Sequence, residues 1–262
     1  MDTSKLFSLE GRIALITGGS RNIGKTIAEA YIAQGATVYI SSRKVADCEA
    51  TAQELGPNCH ALAQDVSTVE GARALALAFA KKEAKLDILV NNAGAVWAAA
   101  FEDFPENGWD KVMDLNLKSP FFLTQALHDL LKAGGASGSL AKVINITSID
   151  GQRLNPWESY SYHASKSGLI FLTKRMAARL VKDNIIVTSI APGAFASDMN
   201  TVARDHSETI AKGIPAGRIG SPEDLAGAAI FLASRAGDYV VGDTISLDGG
   251  LVHASLAQSV DI

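Results

Sequence analysis

Short, continuously apolar runs alternate with segments of helical period along almost the whole chain, and few folds accommodate that pattern. The runs are Arg12–Thr17 (RIALIT), Thr37–Ser41 (TVYIS), His60–Ala63, Leu86–Asn91 (LDILVN), Lys142–Thr147 (KVINIT), Ile185–Ala191 (IIVTSIA) and Thr244–Leu247. Between them Ile23–Gln34, Val45–Leu55, Thr68–Glu83, Trp109–Leu117, Pro120–Lys132, Tyr160–Lys182 and Glu223–Ala233 carry helical spacing. A strand that is apolar at every position has to be covered on both faces. Alternation with helices supplies that cover and makes the sheet parallel. The expected fold class is therefore α/β: a doubly wound parallel sheet (Rossmann fold) of about seven strands with helices on both faces. The 262 residues show no internal repeat and no linker, so one domain over 1–262 is expected. Gly134–Gly138 (GGASG) reads as a flexible loop. Residues 196–215 form the longest stretch without a pattern. In such folds ligands lie beyond the carboxyl ends of the strands, which makes this connection a substrate lid or, more plainly, a helical excursion.

Several function classes fall away on composition. A net charge of −4, from 24 basic and 28 acidic residues, offers no basic excess for nucleic acid. No apolar run is long enough to span a bilayer, and the first ten residues lack the apolar core of a secretion signal. A cytoplasmic protein without membrane partners is expected. Cys48 and Cys59 then read as reduced thiols. The five histidines show no metal-ligand spacing, so no metal is expected.

Chemistry is concentrated in a few short stretches. Thr17–Gly24 (TGGSRNIG) joins a strand to a helix. Small residues there let the backbone approach a pyrophosphate, and the helix N-terminus supplies N–H groups and a favourable dipole. A tight strand–helix connection is the plainer reading of the same letters. Asn22 suits the turn because asparagine tolerates positive φ. After the second strand the chain reads VYISSR, with no acidic residue to bind a ribose 2′-hydroxyl or repel a 2′-phosphate. Arg21, Ser42 and Arg43 would suit such a phosphate instead, although each arginine alone could be an ordinary solvated side chain. The balance favours NADP(H) over NAD(H).

Tyr162 and Lys166 stand four apart in a predicted helix and so share one face. A nearby ammonium would lower the phenol's pKa, letting Tyr162 exchange a proton with a carbonyl or alcohol oxygen. Tyr160 has Ala164 at the corresponding place and cannot pair in this way. Ser148 follows the fifth strand; Thr147 would face the opposite side.

Taken together, TGGSRNIG, Asp65-Val66, Asn91–Gly94 (NNAG), DLNLKS around Asn116, NITSIDG, YHASK, PGAFAS and TISLDGG stand in the order of the short-chain dehydrogenase/reductase family, which the chain resembles from about Leu9 to Gly250. The resemblance implies hydride transfer between NADP(H) and a carbonyl or alcohol, with Asn116, Ser148, Tyr162 and Lys166 catalytic. Asn116 would anchor a proton-relay water, and Ser148 would bind the substrate oxygen. It implies a cofactor site of Gly18, Gly19, Ser20, Arg21, Asn22, Ile23, Gly24, Ser42, Arg43, Asp65, Val66, Asn92, Ala93, Gly94, Tyr162, Lys166, Pro192, Gly193 and Ser197, with Asn91 a strand tie. Two positions depart from the family: Asn22 replaces a glycine, and the interval from Ser148 to Tyr162 is one residue longer than usual. Val96, Trp97, Leu154, Trp157, Phe195 and Met199 would line an apolar pocket or equally belong to the core. The stretch from Ser148 to Lys166 resembles the family's 3-oxoacyl thioester reductases, including the rhamnolipid-pathway type. That implies a small ketone or alcohol substrate, free or thioester-bound, and a homo-oligomer, usually a tetramer. Lys174, Arg175, Arg179 and Lys182 could meet an acidic carrier protein, though a solvated helix face or a subunit contact is preferred. The competing readings are an NAD-linked alcohol or sugar dehydrogenase and a non-catalytic NADP-binding redox sensor.

Overall fold

The computed structural model describes residues 3, 5–136, 138–197 and 200–255. Seven strands, β1 (Ile13–Thr17), β2 (Thr37–Ser41), β3 (Cys59–Ala61), β4 (Ile88–Asn91), β5 (Ala141–Ile146), β6 (Ile185–Pro192) and β7 (Thr244–Leu247), form one sheet. Their order is β3-β2-β1-β4-β5-β6-β7 and every pairing is parallel. The order reverses direction between β1 and β4, which opens a crevice at the carboxyl ends of those strands.

Residue alternation along each strand divides the apolar side chains between two cores. Ala14, Ile16, Val38, Ile40, Ile88, Val90 and Ile144 face one side, where α1 (Asn22–Ala33), α2 (Val45–Leu55) and, near the end of the chain, the Pro222–Ala233 helix pack. Leu15, Tyr39, Leu89 and Val143 face the other, against α3 (Val69–Ala80), α5 (Ser119–Ala126), α6 (His128–Gly135) and α7 (Tyr160–Leu180). This two-sided burial is why the strands read as unbroken apolar runs. The α4 helix (Glu106–Met113) leads into a π-helical turn, Asp114–Lys118, directly before α5. The segment after β6 contains two short helices, α8 (Thr201–Asp205) and α9 (Ser207–Ala211), before the Pro222–Ala233 helix, α10. A Ser221–Asp224 capping box starts α10.

The expectation of a flexible loop at Gly134–Gly138 is corrected in its first half. Gly134 and Gly135 are buried in the last turn of α6. A Cβ on Gly134 would strike the Leu86 carbonyl, and one on Gly135 would stand 2.6 Å from the Asn184 carbonyl oxygen. These glycines serve close helix–backbone packing, a role that composition does not separate from flexibility. The expected single helix Pro120–Lys132 is two, because the chain bends at Leu127, φ −95° and ψ 3°.

Charge is buried at the amino ends of the strands, opposite the crevice. Asp87, fully buried, accepts from the Ile13 N–H at 2.8 Å and pairs with Lys85 Nζ at 2.9 Å. Arg12 lies 3.7 Å from Asp87 and donates to the Leu140 carbonyl at 2.8 Å. The buried Lys142 ammonium meets Asp238 at 2.7 Å. Burial lowers the pKa of both Arg12 and Lys142, against the opposing pull of these carboxylates. Cys48 and Cys59 are both free and buried. Burial pushes both thiols up, Cys59 to about 11. Among the described residues no helix is long and apolar enough to cross a membrane, and no His/Cys/Asp/Glu group is arranged to hold a metal ion.

Candidate active site

A cleft of about 1000 Å³ opens at the carboxyl ends of β1, β2, β4, β5 and β6. Its floor is built where strands hand over to helices.

At one end β1 runs into the glycine-rich turn. Gly18 has φ +64° and Asn22 φ +48°, so asparagine takes the left-handed conformation foreseen for it. Gly24 has no room for a side chain: a Cβ would collide with the Gly18 carbonyl oxygen and stand 2.5 Å from Asn92 Nδ2. Gly19 is placed differently from its neighbours. It packs beneath the turn, where a Cβ would stand 2.7 Å from the Ile40 side chain, and it does not line the cleft. Arg21 occupies the N-cap position of α1 without a side-chain cap bond. Ser20, Arg21, Asn22, Ile23 and Gly24 line this end with Ser42, Arg43, Asp65 and Val66. Ser42 donates to the Lys44 carbonyl at 3.1 Å, and Asp65 accepts from the Ser67 N–H at 2.9 Å. Gly71 on α3 lets that helix close onto Asp65: a Cβ there would overlap the Asp65 carbonyl oxygen.

The NNAG turn is tied to β1 by a residue that sequence reasoning passed over. Thr17 Oγ1 accepts from the N–H groups of Asn92 and Ala93, each at 3.0 Å. The Asn92 amide returns the tie by donating to the carbonyls of Thr17 and Gly18, at 2.9 and 3.1 Å. Its side chain thus braces the turn, while Asn92, Ala93 and Gly94 all border the cleft. Asn91 lies deeper, donating to Asn145 at 2.9 Å and Thr124 at 3.3 Å. Thr17 had a signal in the sequence, a hydroxyl residue opening TGGS, but only the crossover of β1 beside β4 shows what it holds.

At the other end stand Ser148, Tyr162 and Lys166. Ser148 and Tyr162 border the cleft together, near enough for the serine hydroxyl to pull the phenol's pKa down. Ser148 Oγ also accepts from the Asp150 N–H at 3.1 Å, capping a single turn, Ile149–Gly151. Thr147 points into the sheet and donates to the Ile190 carbonyl at 2.9 Å, as strand alternation requires. Lys166 is buried; its ammonium donates to the Ile146 carbonyl at 2.8 Å and lies 5.6 Å from the centre of the Tyr162 ring. Asn116 lies in the π-helical turn, one layer behind the cleft. Its amide exchanges hydrogen bonds with Ala95, 2.8 and 2.9 Å, and reaches Ser165 Oγ at 3.1 Å.

The expected depression of the Tyr162 phenol is not found in this arrangement. Burial dominates and pushes it up to about 12, with Ser148 pulling down and Asp150 adding to the rise. Burial likewise lowers Lys166 to about 8, against Asp150. Near neutral pH the site therefore holds a protonated phenol beside a charged ammonium.

Pro192, Gly193 and Ser197 close the cleft after β6. Ser197 Oγ accepts from the Asn200 N–H at 3.0 Å. Of the apolar pocket candidates, Val96, Trp157 and Phe195 line the cleft. Trp97 does not: it packs on Gly108, with Lys111 Nζ 5.3 Å from its ring centre. Leu154 is 82% exposed and also lies outside the cleft. Met199 lies outside the described residues.

The arrangement suits a dinucleotide. A Cβ at Gly94 would stand 3.3 Å from Asn116 Oδ1 and 3.8 Å from Lys166 Nζ, filling the space between the glycine-rich turn and the hydroxyl pair.

A family model described as enoyl-(acyl carrier protein) reductase matches residues 18–252. The chain is 45% identical to the rhamnolipids biosynthesis 3-oxoacyl-[acyl-carrier-protein] reductase of Pseudomonas aeruginosa, over 93% of this chain and 97% of that protein. It is 39% identical to the 2-dehydro-3-deoxy-D-gluconate 5-dehydrogenase of Escherichia coli, over 93% and 96%. Among solved structures it superimposes on the Pseudomonas aeruginosa RhlG/NADP active-site complex with a TM-score of 0.91 and 44% identity, covering 94% of this chain and 98% of that one.

Proposed function

The chain belongs to the short-chain dehydrogenase/reductase family of oxidoreductases, and from that premise we propose that it is an NADPH-dependent carbonyl reductase acting on a 3-oxoacyl or similarly extended apolar ketone. The observation that carries this reading is the Ser148–Tyr162 hydroxyl pair, together at the wall of an open cleft with the Lys166 ammonium buried behind it.

NADPH bound along the cleft would supply the hydride. Gly18–Gly24 would hold its phosphates, Asp65 and Val66 its adenine, Ser42, Arg43 and Arg21 its 2′-phosphate, and Asn92, Ala93, Gly94, Pro192, Gly193 and Ser197 its nicotinamide half. Ser148 and Tyr162 donate hydrogen bonds to the substrate carbonyl oxygen, and Tyr162 gives that oxygen its proton as negative charge develops there. A phenol held near 12 stays protonated until the oxygen becomes more basic than the phenolate, which suits reduction. Lys166 then stabilises the phenolate, and Asn116 positions the water that returns a proton. The segment 196–215 serves as the substrate lid within a single domain, since Ser197 and Asn200 border the cleft while Arg204, Asp205, Glu208 and Thr209 of α8 and α9 are exposed. The family's tetramer is carried over to this chain as part of the same proposal.

Two measurements test this. NADPH oxidation by purified protein is expected with 3-oxoacyl thioesters; turnover confined to sugar alcohols with NAD⁺ would replace the reading by its dehydrogenase alternative. Arg43→Ala is expected to raise the KM for NADPH about tenfold, one charge-assisted contact with the 2′-phosphate, and to leave that for NADH unchanged. Equal increases for both cofactors would remove the phosphate contact.

A further inference from the structure

Asp150 borders the place where a substrate carbonyl would bind, and no step of the chemistry above employs it. It lines the same cleft as Ser148, Trp157, Tyr162 and Lys166. Its N–H donates to Ser148 Oγ at 3.1 Å, which ties its backbone to the hydroxyl that would hold the carbonyl oxygen. The turn carrying it is clamped on its other sides. Gly151 lies so close to α7 that a Cβ would stand 2.7 Å from the Lys166 carbonyl carbon. Gln152 accepts from Ser246 Oγ at 3.0 Å, and Arg153 donates to the Leu251 carbonyl at 3.1 Å. These contacts hold the turn's backbone against α7 and β7.

That carboxylate is also not engaged elsewhere in the protein. Among the described residues no cation pairs with it and no N–H or O–H donates to it, although Asp150 is only partly exposed. Asp87, Asp183, Asp224 and Asp248, by contrast, all accept hydrogen bonds. Its oxygens are not sealed from solvent, so they remain available to whatever enters the cleft. Its charge also reaches the reacting groups, since it favours the protonated forms of both Tyr162 and Lys166.

We propose that Asp150 determines substrate specificity: its carboxylate repels substrates with a carboxylate close to the reacting carbonyl and leaves neutral ketones unhindered. A 3-oxoacyl thioester or ester would be accepted, and the corresponding free 3-oxo acid discriminated against. This selection works through an unfavourable like-charge approach. It rests on the reading of the cleft as a carbonyl reductase site.

The test compares ethyl 3-oxobutanoate with 3-oxobutanoate at neutral pH, using wild type, Asp150→Asn and Asp150→Ala. Both variants keep the N–H that bonds Ser148, so the turn retains its anchor. Wild type is expected to favour the ester in kcat/KM by tenfold or more. Asp150→Asn should raise kcat/KM for the acid about tenfold and change that for the ester by less than threefold, about what one unit charge exerts across a few ångströms of partly hydrated cleft. An ester-to-acid ratio equal to wild type in both variants would overturn the proposal. If neither compound is reduced, the reductase reading fails. The Asp150 assignment is then decided separately, by the ratio of the two dissociation constants for the enzyme–NADPH complex measured from cofactor fluorescence. The same narrowing of that ratio in Asp150→Asn supports the assignment, and its absence overturns it.

Discussion

Tyr162→Phe is expected to lower kcat for carbonyl reduction about 10³-fold, within the usual range for loss of a positioned general acid, and to leave the affinity for NADPH within about twofold. The substitution removes one oxygen and keeps the ring, so the packing around Lys166 is preserved. Ser148 would still donate to the substrate oxygen but has no means of releasing a proton at comparable cost. The pH dependence should change as well. Lys166 has its proton affinity lowered to about 8 by burial, so it is charged below that value and loses its proton as pH rises through it. Wild-type kcat/KM is therefore expected to fall above about pH 8, and the residual rate of the phenylalanine variant to lose most of that dependence. A variant turning over within tenfold of wild type would exclude Tyr162 as the acid. Measuring kcat and the NADPH dissociation constant on the same preparation separates the chemical step from binding.

Asp87→Ala is expected to destabilise the fold by about 3–5 kcal/mol, the range seen when one partner of a buried ion pair is removed. Asp87 is fully buried and accepts from Ile13 N–H and Lys85 while facing Arg12. Its loss would leave the Ile13 N–H without its acceptor and the Arg12 charge without its nearest counterion. For a chain of this length the change should lower Tm by about 10 °C. Because the cluster lies at the amino ends of the strands, kcat measured well below the melting transition should stay at the wild-type value. Urea or thermal denaturation followed by circular dichroism gives the first number, and steady-state kinetics at low temperature the second. A loss under 1 kcal/mol would mean that water or repacking replaces the carboxylate.

The two sites differ in how far they could be read from residues alone. The cleft was legible because its chemistry recurs as short motifs at strand ends, where an all-parallel sheet has to place its ligands. Spacing together with the family's motif order led to the expectation that Tyr162, Lys166 and Ser148 stand together, and all three border the cleft. The Asp87 cluster was not legible. Arg12, Asp87, Lys142 and Asp238 are scattered along the chain, and nothing local pairs them until β1, β4 and β5 bring their amino ends together. The same holds for Thr17, whose hydroxyl serves a turn 75 residues away. Gly134 misled for a related reason: a glycine needed for close packing has no local signature that distinguishes it from one needed for flexibility.

The sequence by itself determined the fold class, the order of strands and helices, and which end of the sheet carries chemistry, because hydrophobic period and turn residues are local and repeat along the chain. Only the tertiary structure decided the ionisation of the site and the neighbours of each charge. Four-residue spacing puts Lys166 beside Tyr162, but desolvation by everything packed around them outweighs that proximity and leaves the phenol near 12. Burial and long-range contact are properties of the assembled molecule, so neither the proton that Tyr162 retains nor the unpaired carboxylate of Asp150 could be read before the sheet was closed.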